Sequence, residues 1–400
     1  MELQAKKLTC IHPVIYDGVC SECGEKIAPD SRYHKLPDIY VLSSTIGTSK
    51  IESFLLERKK LALVVDLDKT LIQSTEISNL EEAEKIISMD INHKSDYFIV
   101  NLNKLYLIRV RPFVREFFEL ISPYYFMQVY TLSIRPYALQ IVHKIDPDNK
   151  YFNQRIMTQE DSPDQKKSIS DIFLSGEKMA VVIDDTPSVW MNSDGSIYKG
   201  LVQFKPFKFF PPDYEPSRHK KHQIEKLKVD VNMKAIKDHY LERMAKVMIQ
   251  IHSRYYAEKP ADVADIIDDM KKAVFNGCYI YFCSIWKKND ITQKKLYIQK
   301  AEEFGGHVLS HFVPYTTHIV SNDPNDKDVV EAQNYNGIFI LNYKWLFNSA
   351  YRYEKQNEMD PSYVVSYKEY VAPQVTTGAK ERTEPPSDLD NEDSDSDSFE

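Results

Sequence analysis

Two aspartates separated by one residue follow the first strongly apolar run of the chain. Asp66 and Asp68, with Thr70 two residues further on, come directly after Leu61–Val65. A carboxylate in this position could attack a phosphorus atom and form a mixed anhydride that water then cleaves. The second carboxylate could protonate the leaving oxygen and later deprotonate the attacking water. Asp-x-Asp-x-Thr is a weak pattern by itself, so the prediction depends on its place at the end of a strand.

Polar groups also follow two later apolar runs. Thr131 comes directly after the second run, and the pair Asp184-Asp185 comes directly after the third. Lys166 and Lys167 lie between them in the chain. Ligands of an open parallel sheet bind outside the carboxyl ends of its strands, near the switch in strand order. We therefore expect these groups to meet at one edge of a single sheet.

This set of groups has the components of a phosphoryl-transfer site. A carboxylate that attacks a dianionic phosphate is repelled by it, and Mg²⁺ relieves this repulsion because it binds carboxylates, water and phosphate oxygens. Thr131 and Lys167 would hold the phosphate oxygens and stabilise charge in the transition state. The ligand from Asp68 would be its main-chain carbonyl. The predicted metal ligands are Asp66, Asp68, Asp184 and Asp185.

Each of these residues also has a purely structural explanation. An aspartate or threonine after a strand often caps a helix. A lysine is usually a solvated surface charge, and two adjacent aspartates can form a turn. The structural explanation is weaker for the whole set, because all the groups occur in chain order at predicted strand ends.

The elements that would position these groups form an α/β pattern over residues 51–215. The apolar runs at residues 61–65, 125–130 and 179–183 are short and continuous, as buried parallel strands are. Pro112 suits the first turn of a helix between the first two runs. The buried face of that helix would consist of Val114, Phe117, Phe118 and Ile121.

A β-hairpin is predicted between the first strand and that helix. Residues 97–100 and 105–108 alternate in the manner of two short strands. The sequence therefore predicts a Rossmann-like parallel sheet with an inserted hairpin.

The order of the motifs resembles the haloacid dehalogenase superfamily. More narrowly, three segments resemble the RNA polymerase II carboxy-terminal-domain phosphatases. These segments are Val110-Arg111-Pro112-Phe113, Tyr130-Thr131 with Arg135-Pro136-Tyr137-Ala138, and Ile183-Asp184-Asp185 with Val189-Trp190. The resemblance implies a HAD-like Rossmannoid fold and a nuclear, Mg²⁺-dependent phosphatase that acts on phosphoserine in the heptad repeats of the polymerase. It also implies that Asp66 and Asp68 are the catalytic residues.

The match to the functional positions of this family has two departures. Ser133 stands where the family commonly has Gly, and Thr186 follows the aspartate pair where it commonly has Arg. The missing cation and the short hairpin predict an altered, reduced peptide groove. Lys167 rather than Lys166 is the predicted phosphate ligand, because the frame Lys167-Ser168-Ile169 fits the family. The residues that match functional positions are Asp66, Asp68, Thr131, Lys167, Asp184 and Asp185.

Two other functions fit parts of the sequence. A small-molecule phosphohydrolase of the same superfamily would use the same carboxylates, but it would need neither a docking domain nor an acidic tail. A catalytically weak phosphopeptide-binding scaffold would have no use for both Asp66 and Asp68. The protein serine phosphatase is therefore the preferred interpretation.

A cysteine and histidine cluster in residues 1–50 predicts a structural zinc knuckle. Four nitrogen and sulfur ligands suit tetrahedral Zn²⁺, and they would be Cys10, His12, Cys20 and Cys23. The first pair has one intervening residue, which is unusually tight, so cysteines that bind no metal are the alternative. The related phosphatases carry a similar segment ahead of the catalytic domain, and this resemblance favours zinc.

A second α/β domain is predicted over residues 273–371. Its pattern of strands and helices is similar to that of a BRCT domain, with a Gly305-Gly306 pair and a late Trp345. BRCT-type domains often dock phosphopeptides or proteins. Ser284 is a candidate phosphate contact, although no glycine follows it, and core packing with partner docking is the default explanation.

The segments on either side of this domain differ strongly from each other. Residues 216–272 carry apolar side chains at helical spacing, which predicts a helical linker that packs on a neighbouring domain. Residues 372–400 have almost nothing to bury, which predicts a disordered acidic tail. A solubilising tail and a segment that folds on a basic partner are both open. The family resemblance suggests general transcription factors as that partner.

Charge and composition exclude several classes of protein. The formal net charge is −8, and residues 384–400 contain eight acidic residues without Lys or Arg, so residues 1–383 are formally neutral. A neutral body provides no global field for direct nucleic-acid binding. No run of about 18 uncharged apolar residues predicts a membrane span, and the amino terminus lacks the apolar region of a signal peptide. The five cysteines are clustered, which favours a reducing, intracellular compartment.

Overall fold

The chain folds into two compact units, Met1–Ile267 and Asp268–Glu400. The structure, a computed structural model, describes residues 12, 14–16, 18–20, 24–29, 33–35, 39–42, 49–153, 155–162, 165–172, 177–210, 238–258, 262–284, 291–365 and 380–386. Among these residues, none of the helices combines the length and the apolar character that a membrane crossing requires.

A five-stranded parallel sheet forms the core of the first unit. Its strands in spatial order are Ile156–Met157, Tyr125–Tyr130, Leu61–Val65, Ala180–Asp184 and Leu201–Gln203. The three apolar runs of the sequence form its three central strands, and every residue of Leu61–Val65 is buried. In this sheet, Tyr125–Tyr130 and Ile156–Met157 lie on one side of Leu61–Val65, and Ala180–Asp184 and Leu201–Gln203 lie on the other. The switch in strand order is therefore at Leu61–Val65, and the predicted α/β fold is confirmed.

The helix after the insert buries the face that the sequence predicts. It spans Val114–Ile121, and its buried residues are Val114, Phe117, Phe118 and Ile121. Pro112 lies just before the helix, whose N-cap residue Phe113 has a left-handed φ of 73°. Two further helices of this unit are Ser49–Glu57 and Arg135–Ile145, and short 3-10 turns occur at Ile91–Asp96, Gln159–Asp161, Ile169–Asp171, Glu177–Met179 and Pro187–Trp190.

The insert is larger than the predicted hairpin. Tyr97–Asn101 and Leu105–Val110 pair as expected, but Ile72–Ile77 joins them as a third antiparallel strand. Helix Leu80–Met89 follows that strand. The segment after the last core strand covers this insert, because its three phenylalanines are buried in one cluster with insert residues. The members of that cluster are Ile77, Ala83, Ile86, Tyr97, Leu107, Phe207, Phe209 and Phe210.

A long helix, Tyr240–Glu258, packs on the core of the first unit, as its apolar spacing predicts. The hydroxyl of Tyr125 donates to the carbonyl of Met248 at 2.7 Å. The ring Nε2 of His252 lies 2.7 Å from the carbonyl of Lys59. Helix Val263–Lys272 comes next in the chain.

A small antiparallel sheet precedes the core. Its strands in spatial order are Val19–Cys20, Val14–Tyr16, Ile39–Leu42 and Tyr33–Lys35. Cys20 is buried, and its carbonyl accepts a hydrogen bond from the N–H of Gly24 at 2.9 Å. Gly24 has a φ of 70°. Of the predicted zinc ligands, His12 and Cys20 are described, whereas Cys10 and Cys23 lie outside the described residues.

The second unit contains a four-stranded parallel sheet. Its strands in spatial order are His307–Leu309, Tyr279–Phe282, His318–Val320 and Phe339–Leu341, and its helices are Ile291–Glu303, Lys327–Ala332 and Tyr343–Arg352. Trp345 is fully buried and its ring stacks on His318 with centroids 4.7 Å apart. Gly305 has a φ of 84°, and a Cβ there would lie 1.9 Å from the carbonyl oxygen of Lys272. The glycine and the tryptophan therefore have structural roles.

Within residues 372–400, for which a disordered acidic tail is predicted, the structure describes residues 380–386. Lys380 forms a parallel bridge with Tyr335 of the second unit. This pairing uses main-chain groups, which explains why the polar sequence gave no sign of it.

Candidate active site

Asp66 is a buried carboxylate at the switch point of the core sheet. Its main-chain N–H donates to the carbonyl of Ile183 at 3.0 Å, which fixes it beside the neighbouring strand. Its Oδ2 accepts from the hydroxyl of Thr70 at 2.9 Å, and its Oδ1 accepts from the ammonium of Lys167 at 2.6 Å. Burial, and next the charge of Asp184, raise the pKa of Asp66 to about 8 although Lys167 acts in the opposite direction.

Lys167 connects the carboxylates of two neighbouring strands. Its Nζ lies 2.6 Å from Asp66 Oδ1 and 2.7 Å from Asp184 Oδ2, and only 4% of the residue is exposed. Burial alone lowers the pKa of this lysine, but the two carboxylates outweigh it and raise the pKa to about 12. The structure therefore places Lys167 in the site, whereas Lys166 is exposed.

Asp184 and Asp185 complete an acidic cluster with Asp66. Oxygen atoms of these three carboxylates lie within 4.8 Å of one another. Asp184 accepts from the indole of Trp190 at 2.8 Å and from the main-chain N–H of Thr186 at 2.8 Å. Burial, followed by the charge of Asp184, raises the pKa of Asp185 to about 6. Three carboxylates near two lysines, Lys167 and Lys69, still outnumber the positive charges, and carboxylate oxygens are the donors that a hard divalent cation prefers.

Asp68 lies at the rim of the site, in different surroundings from Asp66. One oxygen accepts from the hydroxyl of Ser133 at 2.7 Å and the other accepts from the hydroxyl of Tyr137 at 2.9 Å. The side chain is thus outside the three-carboxylate cluster, so the ligand expected from Asp68 is its main-chain carbonyl. Two adjacent carboxylates with such different partners suit two different chemical roles.

A cavity of about 310 Å³ unites the predicted residues. Thr131 is buried beside it, and its Oγ1 accepts from the N–H of Ser133 at 3.1 Å. The residues that line the cavity are Asp66, Asp68, Lys69, Thr131, Leu132, Ser133, Lys167, Asp184, Asp185, Thr186 and Val189. All six residues predicted to act on phosphate or metal are therefore neighbours.

A second cavity of about 270 Å³ adjoins the first and shares two residues with it, Asp68 and Ser133. Its other lining residues are Ser74, Leu102, Tyr106, Ile134 and Tyr137. Ser74, Leu102 and Tyr106 belong to the insert. The insert thus lines a groove that leads to Asp68, the predicted general acid. Ser74 belongs to the third strand of the insert, so the predicted two-stranded hairpin alone would not provide it.

Several residues that support the site had no role in the sequence prediction. Thr70 donates to Asp66 and accepts from the N–H of Asp185 at 3.1 Å, so it ties the two strand ends together. Arg111, 2% exposed, donates to the carbonyl of Thr70 at 3.0 Å. Both lie in the motif segments, and so do Trp190 and Tyr137. Their membership of those segments was the signal available in the sequence.

The hydroxyls of Ser133 and Tyr137, which donate to Asp68, should affect the rate by an amount that depends on the leaving group of the substrate. Ser133→Ala and Tyr137→Phe should each lower kcat/KM on a phosphoserine peptide by about tenfold or more, because a hydrogen bond to a charged group contributes about 1.5–3 kcal/mol. The loss should be much smaller on p-nitrophenyl phosphate, whose leaving group needs little protonation. Equal losses on both substrates would contradict the assignment of Asp68 as the general acid.

Comparison with known proteins finds a domain family for two segments of the chain. Residues 61–214 match the family of NLI interacting factor-like phosphatases. The chain carries a phosphatase domain of this family. Residues 271–350 match the BRCA1 C Terminus (BRCT) domain family, so the second unit contains a BRCT domain, as its glycine pair and tryptophan predicted.

The relatives of the whole chain are polymerase phosphatases. The RNA polymerase II C-terminal domain phosphatase of Caenorhabditis elegans is 26% identical over 87% of this chain and 55% of its own length. The C-terminal domain phosphatase-like 4 protein of Arabidopsis thaliana is 24% identical over 89% of this chain and 83% of its own length. The chain thus spans little more than half of the nematode protein. The predicted resemblance and the predicted enzyme class, a protein phosphatase, are confirmed by these matches.

A solved structure supports the same relationship. The fission yeast RNA polymerase II CTD phosphatase Fcp1, bound to beryllium fluoride, is 26% identical to this chain with a TM-score of 0.64. The match covers 80% of this chain and all of the solved chain. The parallel-sheet α/β fold is therefore shared with that protein.

The predicted phosphate contact of the BRCT domain has an acidic neighbour. The hydroxyl of Ser284 donates to the carboxylate of Asp326. Asp328 lies two residues further on and accepts from the hydroxyl of Tyr281 at 2.7 Å. Two carboxylates repel a phosphate dianion, so this position is unsuited to phosphate in the state that the structure describes.

Proposed function

We propose that the chain is a Mg²⁺-dependent protein serine phosphatase. Its substrate would be phosphoserine in the C-terminal heptad repeats of RNA polymerase II, and its intermediate would be an aspartyl-phosphate at Asp66. The observation that carries this proposal is the pair Asp66 and Asp68 at one cavity. One carboxylate is buried against Lys167, and the other lies at the rim under two hydroxyls.

In this proposal each residue has one task. Asp66 attacks phosphorus, the bond to the serine oxygen breaks, and Asp68 gives that oxygen its proton. Asp68 then takes a proton from water, which attacks phosphorus and releases inorganic phosphate and free Asp66. Lys167 and Thr131 hold the phosphate oxygens.

The carboxylates of Asp66, Asp184 and Asp185, with the carbonyl of Asp68, would hold Mg²⁺. The ion supplies positive charge that offsets the repulsion between the nucleophile and the phosphate. The cluster of acidic groups supports this part of the proposal, because its three carboxylates outnumber the neighbouring lysines, Lys167 and Lys69, and leave negative charge to be neutralised.

The proposed substrate is supported by the relatives and by the shape of the site. The nematode and fission yeast proteins are named as phosphatases of the polymerase C-terminal domain, and the plant protein is named as phosphatase-like. The adjoining groove continues away from Asp68, and its lining of tyrosines and apolar side chains suits an extended peptide. Action on the polymerase would place the protein in the nucleus.

The experiment that tests this proposal is phosphate release from a phosphoserine heptad peptide with Mg²⁺ or with EDTA. Release that depends on Mg²⁺ is expected. If only p-nitrophenyl phosphate were cleaved, the small-molecule phosphohydrolase would be the better description. If neither substrate were cleaved while the phosphopeptide bound, the scaffold would replace the enzyme.

We also propose that Cys10, His12, Cys20 and Cys23 bind one structural Zn²⁺. The hydrogen bond from the N–H of Gly24 to the carbonyl of buried Cys20 supports this, because a Cys-x-x-Cys sequence can present two thiolates to one ion. The purified chain should contain zinc at one ion per molecule by elemental analysis, and Cys20→Ser should lose it. Cys278→Ser, which removes a buried cysteine of the second unit, is the matched control. Equal metal content in both variants would contradict the zinc site.

A further inference from the structure

The second unit pairs with an extended segment of its own chain. The N–H of Lys380 donates to the carbonyl of Asn334 at 2.9 Å, and the N–H of Asn336 donates to the carbonyl of Lys380 at 3.0 Å. These two bonds flank Tyr335 and form one parallel β-bridge. The segment therefore attaches by main-chain pairing, which any extended peptide could provide.

A second point of attachment follows three residues later. The N–H of Thr383 donates to the carbonyl of Pro314 at 3.2 Å, and the guanidinium of Arg382 lies 3.4 Å from the carbonyl of Tyr315. The segment thus spans two separate loops, 314–316 and 334–336, which together we name the tail-docking edge. Two anchor points fix both the direction and the register of an extended chain.

Side chains at this edge add selectivity to the main-chain pairing. The ammonium of Lys380 lies over the ring of Tyr335 at 5.4 Å from its centroid. The side-chain amide of Asn336 donates to the carboxylate of Glu381 at 3.0 Å. The ring of Tyr335 therefore suits a basic residue of the peptide, and the amide of Asn336 suits an acidic residue directly after it.

We propose that the tail-docking edge is a peptide-binding site of the BRCT domain, occupied in this chain by residues 380–383. Its ligand class is an extended, unphosphorylated peptide of the pattern Lys-Glu-Arg. The carboxylate of Asp326, which accepts a hydrogen bond from Ser284, is consistent with this mode of binding. It makes the serine position unsuited to phosphate, whereas the tail-docking edge binds a peptide through its main chain. The edge lies in the second unit, and its binding of peptide is independent of the hydrolysis proposed above.

Occupation by the same chain has a consequence for competing peptides. A tethered segment acts at an effective concentration of about the millimolar range. An external peptide must therefore bind more tightly than the chain's own segment or act on a chain whose segment has been released.

The test uses the full chain and removes the two main-chain donors of the segment together with the ammonium of Lys380. Lys380→Pro with Thr383→Pro eliminates both N–H groups that donate to the edge. Hydrogen exchange at the Asn336 amide should become about tenfold faster or more, because its acceptor on Lys380 leaves. The control is Glu384→Pro, which lies beyond the paired residues and should leave this exchange unchanged.

Adding a peptide of residues 378–387 tests whether the edge is a binding site in its own right. At millimolar concentration it should restore protection of Asn336 in the double variant, and a peptide with the same two prolines should not. Two results would overturn the proposed site. One is Asn336 exchange that is as fast in the natural chain as in the variant, and the other is failure of the unmodified peptide to restore protection.

Discussion

Replacing Asp66 by Asn is expected to lower phosphate release from a phosphoserine peptide by about 10⁴-fold or more, because the nucleophile is lost. The fold should not be weakened by this change. Asp66 is buried 2.6 Å from a lysine that also serves Asp184, and burial raises its pKa to about 8. Removing one of three crowded carboxylates relieves repulsion, so Tm without Mg²⁺ should be equal or higher.

Rate and stability together distinguish a nucleophile from a structural residue. Phosphate release and thermal unfolding of Asp66→Asn should be measured beside Asp194→Asn, which removes an exposed carboxylate of a turn. The control should keep full activity. A variant at Asp66 with both low activity and a clearly lowered Tm would mean that this carboxylate supports the fold, and it would remove the basis for the aspartyl-phosphate.

Replacing Lys167 by Met is expected to have the second large effect, on both stability and rate. The change leaves the buried carboxylates of Asp66 and Asp184 without their shared cation. Breaking such a buried pair costs about 3–5 kcal/mol, and losing a charge that stabilises the transition state lowers kcat by about 10²–10³-fold. The adjacent Lys166→Met, which removes an exposed lysine, is the matched control.

Mg²⁺ should separate the two effects of the Lys167 change. A cation bound to Asp66, Asp184 and Asp185 replaces part of the missing positive charge, so Mg²⁺ should raise the Tm of Lys167→Met more than that of the natural chain. It should not restore kcat, because the phosphate still lacks the ammonium. An equal Tm increase in both proteins would argue against a metal site at these carboxylates.

The sequence predicted those parts of the fold whose side chains carry a clear pattern. The strands at residues 61–65 and 125–130 are continuous apolar runs, and they occur in the structure at the predicted positions. Strand Ile72–Ile77 was missed because its four central residues are polar, although Ile72, Thr75 and Ile77 are buried. Its place depends on pairing with Leu105–Val110, which is a tertiary property.

The candidate site likewise has features that the sequence predicted and features that depend on tertiary contacts. The types and order of Asp66, Asp68, Lys167 and Asp184 predicted a shared location, since parallel strands bring their carboxyl ends to one edge. The sequence did not predict that Lys167 would bridge two carboxylates, because both contacts are distant in the chain. Asp66 lies 101 positions from Lys167, and Asp184 lies 17 positions from it. The docking of residues 380–383 was missed for another reason, since main-chain pairing has no side-chain signature.

Covalent attachment of phosphate to Asp66 is the central claim, and reductive trapping tests it most directly. The protein would be mixed with a phosphoserine heptad peptide and Mg²⁺, quenched in acid and treated with borohydride, which reduces an acyl phosphate to an alcohol. Peptide mass spectrometry should then find homoserine at position 66 and nowhere else, and none when unphosphorylated peptide is used. Homoserine at Asp68 or at Asp184, or none during active turnover, would contradict the proposed intermediate.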